Sequence, residues 1–454
     1  MRVKGVVAPR GADTLNRPGP TVSIHKMAAV QKQAEYDIVL YGATGFTGSL
    51  VAQYLAEHPE APKVAFAGRN AAKVRAVRER LKNVSQERIE SIGLLEASAG
   101  DEASLRRLAQ SARVVINTVG PFSLLGGFEV ARAVAEAGGR YVDLTGESNV
   151  YHRDVQELHE LAQKTGAVIV PSSGFDSLPF DLSTYFAVQE VKKVLGASAT
   201  VDRVLVGFHV EGSMSGGTLA SGIAMKDHPF ALQYSHPYWL SPVEGKQVLK
   251  PYKWRYLPQF DKHGSFSPFT AHNTRLVYRS WGLLEEAHAP QAYGGDFGYE
   301  EAEVTSSCTA AYLASTKIQS FPWVLKYVPL FDRLASRVLP QGTGPSLEEQ
   351  EKGCAVLRTL AYAADGKTQC LSTFSVKGDP GYLKTAAFIS ESALTLAKEQ
   401  AHFSALAQRG GVLTPATVAP DALRARLAKY GGVTIGAADV SGAQDLTEVL
   451  RVHP

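Results

Sequence analysis

Cysteine is scarce: three residues in 454, Cys308, Cys354 and Cys370, with neither a Cys-x-x-Cys pair nor a His-x-x-x-His spacing beside them. A disulfide framework is excluded as the source of stability, and with no zinc motif along the chain no metal is expected. Long apolar runs are missing too. Nothing approaches the ~18 residues that span a bilayer, and no signal-peptide core is present, so the chain reads as cytoplasmic. An excess of one charge is also lacking, with 47 Lys and Arg against 44 Asp and Glu. Six of the bases (Arg2, Lys4, Arg10, Arg17, Lys26, Lys32) and one acid (Asp13) precede Glu35, which leaves 41 bases and 43 acids behind them. A slightly acidic body does not neutralise a phosphate backbone, and nucleic acid is excluded as a partner.

What is present is ordinary for a globular protein: 45% hydrophobic and 20% charged residues, over a length that suits two or three domains. Residues 1–34 show no helical or strand period and read as a disordered leader. Being basic and acid-poor, the leader is a flexible tail or, as the alternative, an organelle transit peptide. From Tyr36 short apolar runs alternate with amphipathic stretches, the pattern of βαβ units. Strands are expected at 37–41, 63–67, 88–93, 112–118, 141–144 and 167–170. A run such as Val114-Val115-Ile116 has no polar face, so helices should cover both sides of the sheet. The expected fold is α/β: a Rossmann-type doubly wound parallel sheet over 35–180, then a second α+β substrate or dimerisation domain over 181–379. Strands are expected in it at 201–210, 275–278, 356–363 and 370–376. Residues 380–454 should return to the first domain.

Asp37-Ile38-Val39-Leu40-Tyr41 leads into Gly42-Ala43-Thr44-Gly45-Phe46-Thr47-Gly48 and an amphipathic helix. In such a strand, turn and helix, Gly42 permits the tight turn, Gly45 lets backbone N–H groups approach a pyrophosphate, and Gly48 lets helix pack on strand. Thr44, Phe46 and Thr47 belong to the same cofactor-binding turn, and the helix N-terminus faces the phosphates. The spacing G-x-x-G-x-x-G is a variant of the usual fingerprint; strand before and helix after carry the assignment. Where the second strand ends, an NAD site would place an acid on the ribose 2′-hydroxyl. Here Arg69 and, one turn on, Lys73 suit a 2′-phosphate, so NADP is the expected cofactor. Asn117, Val119, Gly120 and Pro121 end the fourth strand and should border the nicotinamide ribose; the alternative is a plain Gly-Pro turn.

Two further strand ends aim at the same crevice, 143–147 and 172–179, and place Glu147 and Asp176 as candidates to hold substrate or shuttle a proton. Asp176, Ser177 and Pro179 equally spell a helix start. Gly212-Ser213-Met214-Ser215-Gly216-Gly217-Thr218 is a second Gly/Ser loop, placed to close over the nicotinamide, and is no nucleophile elbow. No Tyr-x-x-x-Lys pair follows the fourth strand; Tyr382 joins Glu147 and Asp176 as a candidate proton donor. The stretch Ile318–Pro340 mixes Phe321, Trp323, Leu325 and Tyr327 with Lys326, Arg333 and Arg337. That composition suits a peripheral membrane contact or a hydrophobic ligand entrance, against a buried interdomain or homodimer helix.

With these residues in view the chain resembles the saccharopine dehydrogenase-like oxidoreductases, and within them the trans-acting enoyl reductases that partner polyketide synthases in actinobacterial lipid synthesis. The resemblance rests on Asp37 to Phe46, Leu144-Thr145-Gly146-Glu147, Gly174-Phe175-Asp176-Ser177, Ser215-Gly216-Gly217-Thr218, Asn273-Thr274-Arg275, Gly342-Thr343-Gly344-Pro345-Ser346, Gly378-Asp379-Pro380-Gly381-Tyr382 and Gly411-Val412-Leu413-Thr414-Pro415. It implies a Rossmann domain with a second domain inserted before the C-terminal segment, NADP use, and reduction of an enoyl group on a lipid or polyketide-type acyl substrate. The alternative is a residual-activity relative acting at lipid droplets or membranes. The animal branch is associated with lipid droplets and carries a long apolar run before its Phe-Pro-Trp segment; here Lys317 and Gln319 interrupt that run.

Overall fold

The computed structural model describes residues 34–224, 236–246, 254–328, 330–443 and 446–451; the expected leader, residue 34 aside, lies outside them. Strands β1 (Tyr36–Tyr41), β2 (Val64–Gly68), β3 (Gly93–Glu96), β4 (Ala112–Asn117), β5 (Arg140–Asp143) and β6 (Val168–Val170) form a parallel sheet in the order 6-5-4-1-2-3. Side chains alternate across it. Ile38 and Leu40 join a cluster with Val51 and Leu55, while Val39 and Tyr41 join another with Leu105, Val130 and Leu158. Both faces are thus covered, as continuous apolar strands require.

The second sheet is mixed. β7 (Val201–Glu211), β8 (Trp254–Leu257), β9 (Lys262–Ser265), β10 (Gly298–Thr305), β11 (Cys354–Ala363) and β12 (Gln369–Lys377) pair in the order 12-11-7-10-9-8, with β7 and β10 parallel and the rest antiparallel. Helices Leu178–Leu195 and Thr270–Glu286 cover one face, and their apolar residues continue the core of the first sheet. The chain then contributes to both sheets. Helix Thr385–Lys398 packs on β4 and β5, and β13 (Gly411–Val412) adds to the β6 edge. β14 (Val433–Asp439) extends the second sheet beside β12, so not all of 380–454 returns to the first domain.

Two expected strands are helices. Residues 275–278 lie within Thr270–Glu286, which is buried from Thr270 to Leu284; a short apolar run does not separate a strand from a fully buried helix. Residues 88–91 belong to helix Gln86–Ser91, capped by Ser85, and β3 starts only at Gly93. The stretch 318–340 forms the end of helix Cys308–Tyr327 and the helix Phe331–Val338. Among the described residues no helix is long and apolar enough to cross a membrane.

Candidate active site

All the loops that end the parallel strands gather at one edge of the first sheet. At β1, Gly42 has φ +96° and its N–H donates to Ala67 O at 3.0 Å. A Cβ on Gly48 would lie 2.1 Å from Gly42 O and 2.8 Å from Thr118 Oγ1, whereas one on Gly45 would meet nothing nearer than Gly42 O at 3.4 Å. Gly48 is therefore dictated by helix packing, and Gly45 by no protein neighbour. Helix Phe46–Glu57 opens with no capping side chain and no acid in its first turn, which leaves its N–H groups to an anion. Thr44 is exposed at the turn; Phe46 and Thr47 are half-buried. Arg69 and Lys73 are both exposed just past β2, and neither makes a salt bridge among the described residues. Asn70, between them, accepts from the Lys73 N–H at 2.9 Å and starts the next helix.

The ends of β4, β5 and β6 are tied by a buried polar chain. Asn117 Nδ2 donates to Tyr141 Oη at 3.1 Å, and Tyr141 donates to Asp143 Oδ2 at 3.0 Å. Asp143 Oδ1 accepts the N–H groups of Thr145 and Ser172, each at 2.9 Å. Burial pushes the Asp143 carboxyl up to about 6 against these donors. The Val119 N–H donates to Asn117 Oδ1 at 3.0 Å. Glu147 is fully buried, and its two oxygens accept from the N–H groups of Phe122 at 2.8 Å and Ser123 at 3.1 Å. The carboxylate thereby clamps the loop that contains the cis Gly120–Pro121 bond. Ser172, at φ +60°, donates to Thr145 O at 2.6 Å. With that hydroxyl proton spent, His272 Nε2 donates to Ser172 Oγ at 2.9 Å, and Ser148 donates to His272 Nδ1 at 2.9 Å. Burial holds this imidazole down to about 3, hence neutral.

The second sheet sends its loops over the same edge. Asp379 is buried and accepts the N–H groups of Tyr382 at 2.8 Å and Ser213 at 3.0 Å. Tyr382 Oη accepts the Ser215 N–H at 2.6 Å and shares a proton with Thr218 Oγ1 at 2.7 Å. The Tyr382 ring meets Phe46 edge-on, centroids 5.3 Å apart, so the Gly/Ser loop sits over the phosphate turn. Gln341 Nε2 closes the other side by donating to Gly120 O at 3.0 Å. Asp176 reaches solvent, yet protein surrounds it enough that burial, then the charge of Asp379, pushes its carboxyl up to about 6. The Asp176 charge also helps raise the Tyr382 phenol, chiefly displaced by burial.

The structure thus brings Asp176 and Tyr382 together beside the turn, with Tyr382 engaged in holding the loop and Asp176 open. Glu147 lies on the β4 side with both oxygens in use. Asp379, Ser172 and His272 are not among the site residues that the sequence singles out. Asp379 before Pro380 is a helix-start signal that was there to be read; nothing local marks His272, whose partners lie 100 and 124 residues away.

Comparisons with known proteins identify the family. A family model described as the saccharopine dehydrogenase NADP binding domain matches residues 38–170. A Mycobacterium tuberculosis (strain H37Rv) protein provisionally named as a trans-acting enoyl reductase is 36% identical over 418 residues, 87% of this chain and 96% of its own. A trans-acting enoyl reductase of Mycobacterium ulcerans is 34% identical over 430 residues, 88% and 97% of the two chains. Among solved structures, saccharopine dehydrogenase (L-Glu forming) of Saccharomyces cerevisiae superposes with a TM-score of 0.51 at 15% identity, covering 89% of this chain and all of that one, a likeness of fold. The chain belongs to the saccharopine dehydrogenase-like oxidoreductases, in the branch of the trans-acting enoyl reductases, and is an NADP-dependent oxidoreductase.

Proposed function

We propose that the chain reduces the carbon–carbon double bond of an enoyl thioester on a lipid or polyketide-type acyl chain. The observation that carries this reading is identity of 33–36% along nearly the whole length to relatives named for that reaction. NADPH, when bound, would supply the hydride that an α,β-unsaturated thioester accepts at Cβ. The chain's own residues do the rest. Backbone N–H groups of the Gly42–Gly48 turn would hold the pyrophosphate, and Arg69 and Lys73 would hold the 2′-phosphate. Asn117, Val119, Gly120 and Pro121, clamped by Glu147, border the nicotinamide ribose. Asp176, protonated in part near neutrality, delivers a proton to Cα of the developing enolate. Tyr382 positions the 213–218 loop that excludes water. The test follows NADPH oxidation with long-chain enoyl thioesters beside saccharopine and simple imines. Turnover of the amino acid with none on any acyl acceptor overturns the reading.

One surface favours a second reading, a protein resting on a lipid surface. Trp323 and Tyr327 stack with centroids 5.2 Å apart, both more than 60% exposed, and Leu330, Leu334 and Val338 continue the patch. Arg333 and Arg337 flank it, as anionic headgroups would require.

A further inference from the structure

We propose that His209, Glu211 and Cys354 form a binding site for a divalent transition metal of the zinc class. His209 and Glu211 stand two residues apart on β7, so their side chains leave the same face. Cys354 on β11 lies directly opposite Glu211 in the antiparallel register. His209 Nε2 is 3.2 Å from Glu211 Oε1, and Cys354 Sγ is 3.8 Å from Glu211 Oε2. One donor atom from each residue falls within 4.8 Å of the other two. A tetrahedral ion with bonds of ~2.0–2.3 Å needs donors roughly 3.3–3.7 Å apart, so small side-chain rotations admit it.

The donor types select the ion. Nitrogen, oxygen and sulfur together suit Zn²⁺ or Co²⁺, whereas Mg²⁺ and Ca²⁺ take oxygen alone. The His209 side chain is only 17% exposed and Glu211 57%, so the fourth position faces water. Cys354 is a protonated thiol without the ion, raised by burial and then by the Glu211 charge. Binding releases that proton to solvent, the thiolate pair bonds the metal, and no atom changes oxidation state. The site adjoins the crevice without depending on the enoyl reading. Glu211 runs straight into the loop whose Ser213 is held by Asp379, and a Cβ on Gly353 would touch both Asp379 and Glu211 O. An ion here pins the strand ends that carry that loop.

The test is titration of the chelator-treated full chain with Co²⁺, read by absorbance. The expected result is one Co²⁺ per chain, with a thiolate-to-cobalt charge-transfer band and intense tetrahedral visible bands, both displaced by Zn²⁺. Cys354→Ser should abolish the charge-transfer band while keeping the metal-free thermal midpoint, Cys308→Ser should leave it intact, and His209→Gln should weaken binding about tenfold or more. A parent protein without the band, a band that survives Cys354→Ser, or Co²⁺ affinity unchanged in His209→Gln overturns the proposal.

Discussion

Gly45 and Gly48 lie on one turn but answer to different neighbours. A methyl at Gly48 collides with the backbone of Gly42, so Gly48→Ala should cost about 1–3 kcal/mol of stability, as overpacking does, read by denaturant unfolding. Gly45→Ala meets no such wall. It should keep the unfolding midpoint and weaken NADPH binding about tenfold or more, since its methyl enters the space the pyrophosphate takes; calorimetric affinity equal to the parent's would refute the assignment. Among the described residues Arg69 makes no salt bridge with an acid, and the proposed reading gives it a phosphate. Arg69→Asp should lose roughly 10–100-fold in NADPH affinity, the value of one or two charge-assisted bonds, and gain preference for NADH. Asp176 predicts a pH profile: with its carboxyl at about 6 and acting as acid, kcat/KM falls as pH rises through that value. Asp176→Asn should lower the rate and flatten that limb. A parent profile flat from pH 5 to 8 would dismiss Asp176 as the donor.

At the scale of elements, Glu147 joins the start of helix Ser148–Thr165 to the loop after β4. An amide at this position accepts from one N–H and confronts the other with a donor. Glu147→Gln should therefore cost about 1–3 kcal/mol and loosen the nicotinamide side of the crevice, raising Kd for NADPH while Asp176→Asn leaves that Kd unchanged. Equal Kd values in parent and Glu147→Gln would show that the loop holds without its clamp. The helices 308–338 need a similar distinction. Trp323 is 64% exposed but Leu325 only 4%, so a liposome-flotation test should change Trp323 and Leu334; Leu325→Ser would damage packing instead.

Across the whole molecule, buried ionisable groups set the pH response. Glu301, whose Oε2 accepts from Tyr299 Oη at 2.6 Å and Asn273 Nδ2 at 3.2 Å, is pushed up to about 7 by burial. The folded state holds this proton more tightly than the unfolded chain, so the contribution to stability is full below about 4.5 and is lost as pH rises through 7. His272 and His159, held down to about 3 and about 4 by burial, act oppositely and lose stability as pH falls below 6.5. A parent curve mixes the two; a difference curve separates them. Glu301→Gln should gain stability relative to the parent as pH rises from 4.5 to 7, by roughly 3 kcal/mol at most. A pH-independent difference in chemical denaturation would place the titration elsewhere.

Much of this was local enough to read from the chain. The β1 strand, its glycine turn and the helix behind it span about twenty residues, and the parallel sheet follows from period; NADP is the cofactor expected from Arg69 standing where an acid would select NAD. What needed the folded chain was anything set by burial or by residues distant in sequence. Leu276-Val277-Tyr278 is helical because the whole segment is enclosed, which period alone does not reveal. Glu147 and Asp176 are similar carboxylates in the sequence, yet one is buried with both oxygens taken by a loop and the other is exposed. Asp379 meets Ser213, His272 meets Ser148 and Ser172, and Cys354 meets His209 and Glu211 only when segments a hundred residues or more apart come together. Hydrogen bonds and metal bonds act over a few ångströms, and tertiary packing alone decides which donors come that close.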